Sequence, residues 1–219
     1  MKFSEQSYSG KVLRPNPVVE ITESAELILV LTCWGNSDAS DVCINTIRDY
    51  FFSTMDDQDA TSPHPIYPQY SAVSNHLRIA VQLANESIYT QFNHEQFNTG
   101  IEIFAASLNQ MELSWVSLGF PQVFISQNSA WKALDLKQDL SFDYGFTDQK
   151  LPPLPSQFLG QHNLQPLQPK SIRINESDKL LLCSHNQPQL PQSDELGAIV
   201  KQIASSSSSD AFWTGLLEL

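Results

Sequence analysis

The sequence predicts an α+β domain in which antiparallel sheet packs with segregated helices. Three observations predict it. Helical periodicity is confined to three stretches, Val42 to Phe52, Ala72 to Phe92 and Asp194 to Ala204. A period of two governs the residues between 101 and 118, and short apolar runs follow. The order is two strands, two helices, a run of strands, a helix and a closing strand, so helices do not alternate one for one with strands. At 219 residues the chain is one domain of ordinary size, spanning 1–219. Folding at that size buries roughly 70% of the unfolded surface, enough for a core without disulfides.

Taken in order, Val18-Val19-Glu20-Ile21 and Leu27-Ile28-Leu29-Val30-Leu31 read as strands. The second is apolar on both faces and therefore central. Gly35-Asn36-Ser37-Asp38 breaks it, and Ser37 or Asp38 can cap the helix whose buried stripe is Val42, Ile44, Ile47 and Phe51. Asp56 to Tyr70 carries acids and prolines without an apolar period and reads as a loop. Val73, Leu77, Ala80, Val81, Ala84, Ile88 and Phe92 recur every three or four residues, the mark of a long amphipathic helix. Strands at 99–107 and 111–118 flank Asn109-Gln110, a hairpin link too tight for a crossover. Val123-Phe124-Ile125 and Trp131 to Leu136 continue the meander. Phe142 to Gln168, rich in Pro, Gln and Leu, is an irregular excursion, and its Leu151-Pro152-Pro153-Leu154-Pro155 reads as a loop stiffened by prolines. Ser171 to Ile174 and Lys179 to Cys183 are strands. The helix from Asp194 runs into the serines 205–209, read as a flexible loop, and Phe212 to Leu219 closes the fold.

The chain carries 24 acids against 12 bases, a net charge of −12. That field repels a phosphate backbone, so nucleic acid and anionic membrane are excluded as partners. Cys33, Cys43 and Cys183 form no CxxC and are too few for a disulfide framework or a zinc knuckle; reduced thiols in a cytoplasmic protein are expected. Met1 to Glu5 lacks the apolar run of a signal peptide, and the longest apolar run, around Leu27 to Leu31, is too short to span a bilayer.

Several phrases in order carry a resemblance. Ser9-Gly10-Lys11-Val12-Leu13-Arg14 opens it. Leu29 to Gly35 is a strand running into a glycine turn. Ala84-Asn85 lies on the long helix, ahead of Phe97-Asn98-Thr99-Gly100. Leu113 to Gly119, Leu136 to Ser141, and Asp178 to Ser184 follow at matching intervals. Together they resemble the PP2C (PPM) family of metal-dependent Ser/Thr phosphatases, nearly end to end. The resemblance implies a four-layer α-β-β-α sandwich of two antiparallel sheets flanked by helices.

It also implies two Mn²⁺ or Mg²⁺ ions held by carboxylates, with a bridging water as nucleophile. Hard dications require several negatively charged oxygens close together. The acidic pair of the family's first motif falls on Val18-Val19, and the Asp-Gly of the second on Thr32-Cys33. Gly-Asp-Ser-Arg is replaced by Gly119-Phe120-Pro121-Gln122, and the acid of Ser-Asp-Gly by His185. Asp210 keeps the acid of the last motif, Asp139 persists beside Leu140, and Arg14 matches the phosphate-binding arginine.

The resemblance so read implies an inactive PP2C-like domain with no metal cofactor, a pseudophosphatase used as a protein-binding or regulatory module. Its expected partner is a Ser/Thr kinase or a phosphoprotein. The alternative is an enzyme with a rebuilt site, a weak phosphatase or a zinc hydrolase, with Cys33, His185, Asp210 and Asp139 as the ligand set.

Overall fold

The computed structural model describes residues 1–10, 14–22, 26–56, 62–128, 130–137, 140, 154–185, 190–206 and 211–219. In chain order the elements are β1 (Lys2–Tyr8), β2 (Val18–Ile21), β3 (Ile28–Trp34), α1 (Asp38–Asp56), α2 (Ala72–Ile88), a π-helical turn (Tyr89–Asn93), β4 (Gly100–Asn109), β5 (Glu112–Leu118), β6 (Gln122–Gln127), β7 (Ala130–Asp135), β8 (Lys170–Arg173), β9 (Lys179–Cys183), α3 (Leu196–Ser206) and β10 (Phe212–Glu218). The fold is α+β, with two antiparallel five-stranded sheets ordered β2-β3-β4-β5-β8 and β1-β10-β9-β6-β7, plus the three helices. The chain divides into two compact units. One comprises Met1–Asn16, Gly119–Ser156 and Ile174–Leu219, the other Pro17–Leu118 and Gln157–Arg173.

In the second unit β3 is central, as its apolar run predicts, and residues 28–32 are at most 2% exposed. Leu27, Leu29 and Leu31 point to the helix side, where they join Ile47 and Phe51 of α1 and Leu77, Ala84 and Ile88 of α2. The Ser71 side chain caps α2 by accepting the Ser74 N–H at 3.2 Å. At the head of α1 it is the Asn36 carboxamide that accepts the Asp38 N–H (3.0 Å). The predicted helix to Phe92 stays α-helical only to Ile88. It then widens into the π turn, which rotates Asn93 into the interior.

The hairpin of β4 and β5 forms one residue later than predicted. Asn109 pairs with Glu112, leaving Gln110 and Met111 as the link, with φ of +47° and +64°. Positive φ at both positions suits a two-residue turn to the twist of the strands.

The predicted meander breaks after β5. β6 pairs with β7 and β9, in the other sheet. The breaker is Gly119-Phe120-Pro121: Gly119 has φ of +62°, and Pro121 has no N–H to give a ladder. β1 pairs along its whole length with β10, and the sequence reading missed it. Lys-Phe-Ser-Glu-Gln-Ser-Tyr is an exposed edge strand with little apolar alternation. It is held by the Trp213 Nε1 donating to Glu5 at 2.8 Å and by Tyr8 stacked on Phe212. Ile199, Val200 and Ile203 of α3 cover Phe124, Leu181 and Leu216 of that sheet.

Among the described residues no helix is long and apolar enough to cross a membrane. Residues 57–61 of the first predicted loop, 142–153 of the excursion, Ser207 to Ser209, Asp139 and Asp210 lie outside the described residues.

Candidate functional site

In the unit built on β9 and β10, three of the predicted positions lie together. Arg14 is 9% exposed, and its guanidinium carbon sits 5.1 Å over the ring of Phe120, which is wholly buried. His185, just past β9, is also buried; its ring stands edge-on to Phe212 at 5.5 Å, and its carbonyl accepts from the Gln122 carboxamide at 3.0 Å. Cys183 joins them. Burial pushes its thiol up to about 12, against the opposing pull of a His185 backbone hydrogen bond and the Arg14 charge. These side chains supply one cation, an imidazole, a neutral thiol and aromatic rings.

The other unit carries Val19, Thr32 and Cys33. Val19 pairs with Val30 and Thr32 with Glu102, so all four lie on the sheet face turned away from the helices. Cys33 does not join them. Alternation along β3 turns it to the helix side, where Sγ donates to the Asn36 carbonyl at 3.1 Å. Burial raises its thiol pKa, with a Ser40 hydrogen bond opposing; burial also drives Cys43 far up, reinforced by repulsion from Cys33. Both are neutral thiols at pH near 7, so neither is an activated nucleophile.

Glu102 is the residue that sequence reasoning passed over. It lies between Ile101 and Ile103 in a stretch of period two, and its exposure is 0%. The signal was Thr32, a hydroxyl inside the apolar run of β3, which marks a polar lane crossing that face. Glu102 stands directly opposite it.

The turn after β3 is fixed by its surroundings. Gly35 has φ of +106°, and a Cβ there would come 2.1 Å from the Asn98 carbonyl, so only glycine fits. The Asn36 N–H donates to Thr99 Oγ1 at 3.2 Å. Thr99 is itself held by Asn93, whose Oδ1 accepts from Asn98 and Thr99 N–H and whose Nδ2 donates to the Thr99 and Gly160 carbonyls, all at 2.6–3.0 Å.

No family model and no curated protein matches the sequence. Solved structures do match in fold. The serine/threonine phosphatase PstP/Ppp of Mycobacterium tuberculosis superposes with a TM-score of 0.67 at 15% identity, over 100% of this chain and 98% of that one. The PPM Ser-Thr phosphatase MsPP of Mycobacterium smegmatis gives 0.64 at 16%, over 100% and 98%. PppA, described as a key regulatory component of T6SS in Pseudomonas aeruginosa, gives 0.66 at 15%, over 98% and 96%. The fold is therefore that of the PP2C/PPM Ser/Thr phosphatases across the whole chain.

The metal pair implied by that fold needs several carboxylate oxygens. At the positions that the sequence resemblance sets against the family's acids, the described residues are Val19, Thr32, Phe120 and His185; none is a carboxylate, and side chains of these types do not fit two hard dications. Among the described residues no group of three or more His, Cys, Asp and Glu is placed to hold a metal ion.

Proposed function

We propose that this chain is a PP2C-fold pseudophosphatase: a protein-binding, regulatory module in a Ser/Thr phosphorylation-linked signalling assembly, with a Ser/Thr kinase or a phosphoprotein as its partner. The observation that carries the reading is the filling of the site. Where an acid is needed, Phe120 is a buried ring under the Arg14 guanidinium, and His185 is packed against Phe212. A scaffold whose elements persist while its ligands are exchanged for packing groups serves recognition better than hydrolysis. Arg14 keeps the cation that the resemblance assigns to phosphate binding. The fold likeness to PppA, a regulatory component by its description, is in keeping with a role in an assembly.

The test is turnover of p-nitrophenyl phosphate and a phosphopeptide with Mn²⁺ or Zn²⁺ supplied. Activity should stay at background and be unmoved by Asp210→Ala or His185→Ala. A metal-dependent rate abolished by either change would overturn the reading in favour of a rebuilt site, a weak phosphatase or a zinc hydrolase.

A further inference from the structure

Residues 62–70 lead into α2 as Ser-Pro-His-Pro-Ile-Tyr-Pro-Gln-Tyr. Each of Pro63, Pro65 and Pro68 fixes its own φ near about −65° and disfavours a helical backbone at the residue before it. The chain bends at Pro63 and His64, runs without regular pairing through Pro65, Ile66 and Tyr67, and turns at Pro68-Gln69. The Tyr70 N–H closes that turn by donating to the Tyr67 carbonyl at 3.1 Å, which puts Pro68 at the turn position that proline favours. Residues 65–68 are thus a short Pro-x-x-Pro run between a bend and a turn.

α2 holds the inner side of this run. Nη2 of Arg78 donates to the Pro65 carbonyl, and the same guanidinium lies 4.6 Å over the Tyr67 ring. The Asn75 carboxamide accepts the Tyr67 N–H and donates to the Tyr67 carbonyl, both at 3.0 Å. One residue ahead of the run, the His64 ring meets Glu86 at 3.2 Å. Glu86 and Asn75 are separated by about 16 Å of helix axis, and residues 64–67 meet that span in order, so their backbone is drawn out along α2. The outer side faces solvent: Pro65 and Pro68 are exposed, and Ile66 is 61% exposed.

We propose that residues 65–68 are a docking edge for a partner protein with an aromatic-lined groove of the kind that takes polyproline II ligands. In that conformation three residues make one turn, so Pro65 and Pro68 share an edge about 9 Å apart. Prolines so placed fit successive slots between aromatic rings. The bonds from Arg78 and Asn75 order the run before any partner arrives, so little conformational freedom is lost on docking. Pro-Ile-Tyr-Pro carries no charge, so recognition rests on ring packing. The sequence holds a second Pro-x-x-Pro at 152–155, but its Pro155 is buried and closed to a groove. The inference rests on reading the chain as a protein-binding module, and it gives that module a surface and its partner a recognition chemistry.

The probe is an array of purified SH3 and WW domains incubated with the full chain. At least one domain should capture it and shift the amide resonances of Ile66 and Gln69 in the unmutated protein. Pro65→Ala and Pro68→Ala each remove two ring methylenes from the contact and should each weaken capture by about tenfold. Melting temperatures of both variants check that the fold is kept. The double variant Pro152→Ala, Pro155→Ala should bind as the unmutated chain does. Capture by no domain, resonance shifts that spare Ile66 and Gln69, equal binding by the Pro65 and Pro68 variants, or loss of binding in the 152/155 variant would each overturn the proposal. None of these outcomes depends on metal or on phosphatase turnover, so a failure here is separable from a failure of the pseudophosphatase reading.

Discussion

The guanidinium of Arg14 lies 5.1 Å above the ring of Phe120, a residue with no solvent exposure. A cation over an aromatic face in a desolvated place is an attractive contact. The ring occupies the position where the resemblance places the acid of Gly-Asp-Ser-Arg.

That contact has a measurable weight. Phe120→Ala should lower unfolding free energy by about 3–5 kcal/mol, the range for emptying a buried aromatic site. In a double-mutant cycle, Arg14→Met and Phe120→Leu should couple by about 0.5–2 kcal/mol. Denaturant titrations of the four proteins check both figures. Strict additivity would mean that the two side chains are neighbours without an energetic link.

Asn93 makes four hydrogen bonds from a buried position, to Asn98, Thr99 and Gly160. Asn93→Ala should cost about 3 kcal/mol, because it strands buried peptide groups as well as removing contacts. Amide hydrogen exchange should rise at Thr99 and Gly160 ahead of the core of β4. Exchange that changes only globally would contradict a local pinning role.

His76 predicts an acid-side slope. Burial holds its pKa below the ordinary 6.5, and among the described residues its Nδ1 is buried without a partner. The native state thus binds fewer protons than the unfolded state once pH falls below about 6.5, and stability drops. Above that pH both states are neutral at this group, and the effect vanishes. His76→Gln should flatten the fall in melting temperature between about pH 7 and pH 5, leaving values at about pH 8 unchanged relative to each other. An unaltered slope would remove His76 from the account.

Much of the fold was legible because periodicity reports burial directly. The stripe Leu77, Ala80, Val81, Ala84 and Ile88 is buried as its spacing requires, and the apolar run of β3 is central. What escaped was set by tertiary partners. β1 has no strong pattern of its own and exists through β10 and the Glu5–Trp213 bond. The π turn depends on what Asn93 reaches, not on the helical period. At the site, the substituted positions could be read one by one, but Glu102 could not. Alternation alone does not say that both faces of β4 are covered, and the register with Thr32 places Glu102 on a buried one. The resemblance sets Asp-Gly against Thr32-Cys33 as a pair, whereas the pleat sends these neighbours to opposite faces.

The measurement that tests the central claim most directly is a melting curve of the purified chain, with and without millimolar Mn²⁺, on the sample used for turnover. A cation that binds only the native state must raise its stability, and one that does not bind cannot. If Val19, Thr32, Phe120 and His185 stand where the resemblance places carboxylates, the melting temperature should not move. A rise that saturates with Mn²⁺ and disappears in Asp210→Ala would contradict the account and reinstate a metal centre.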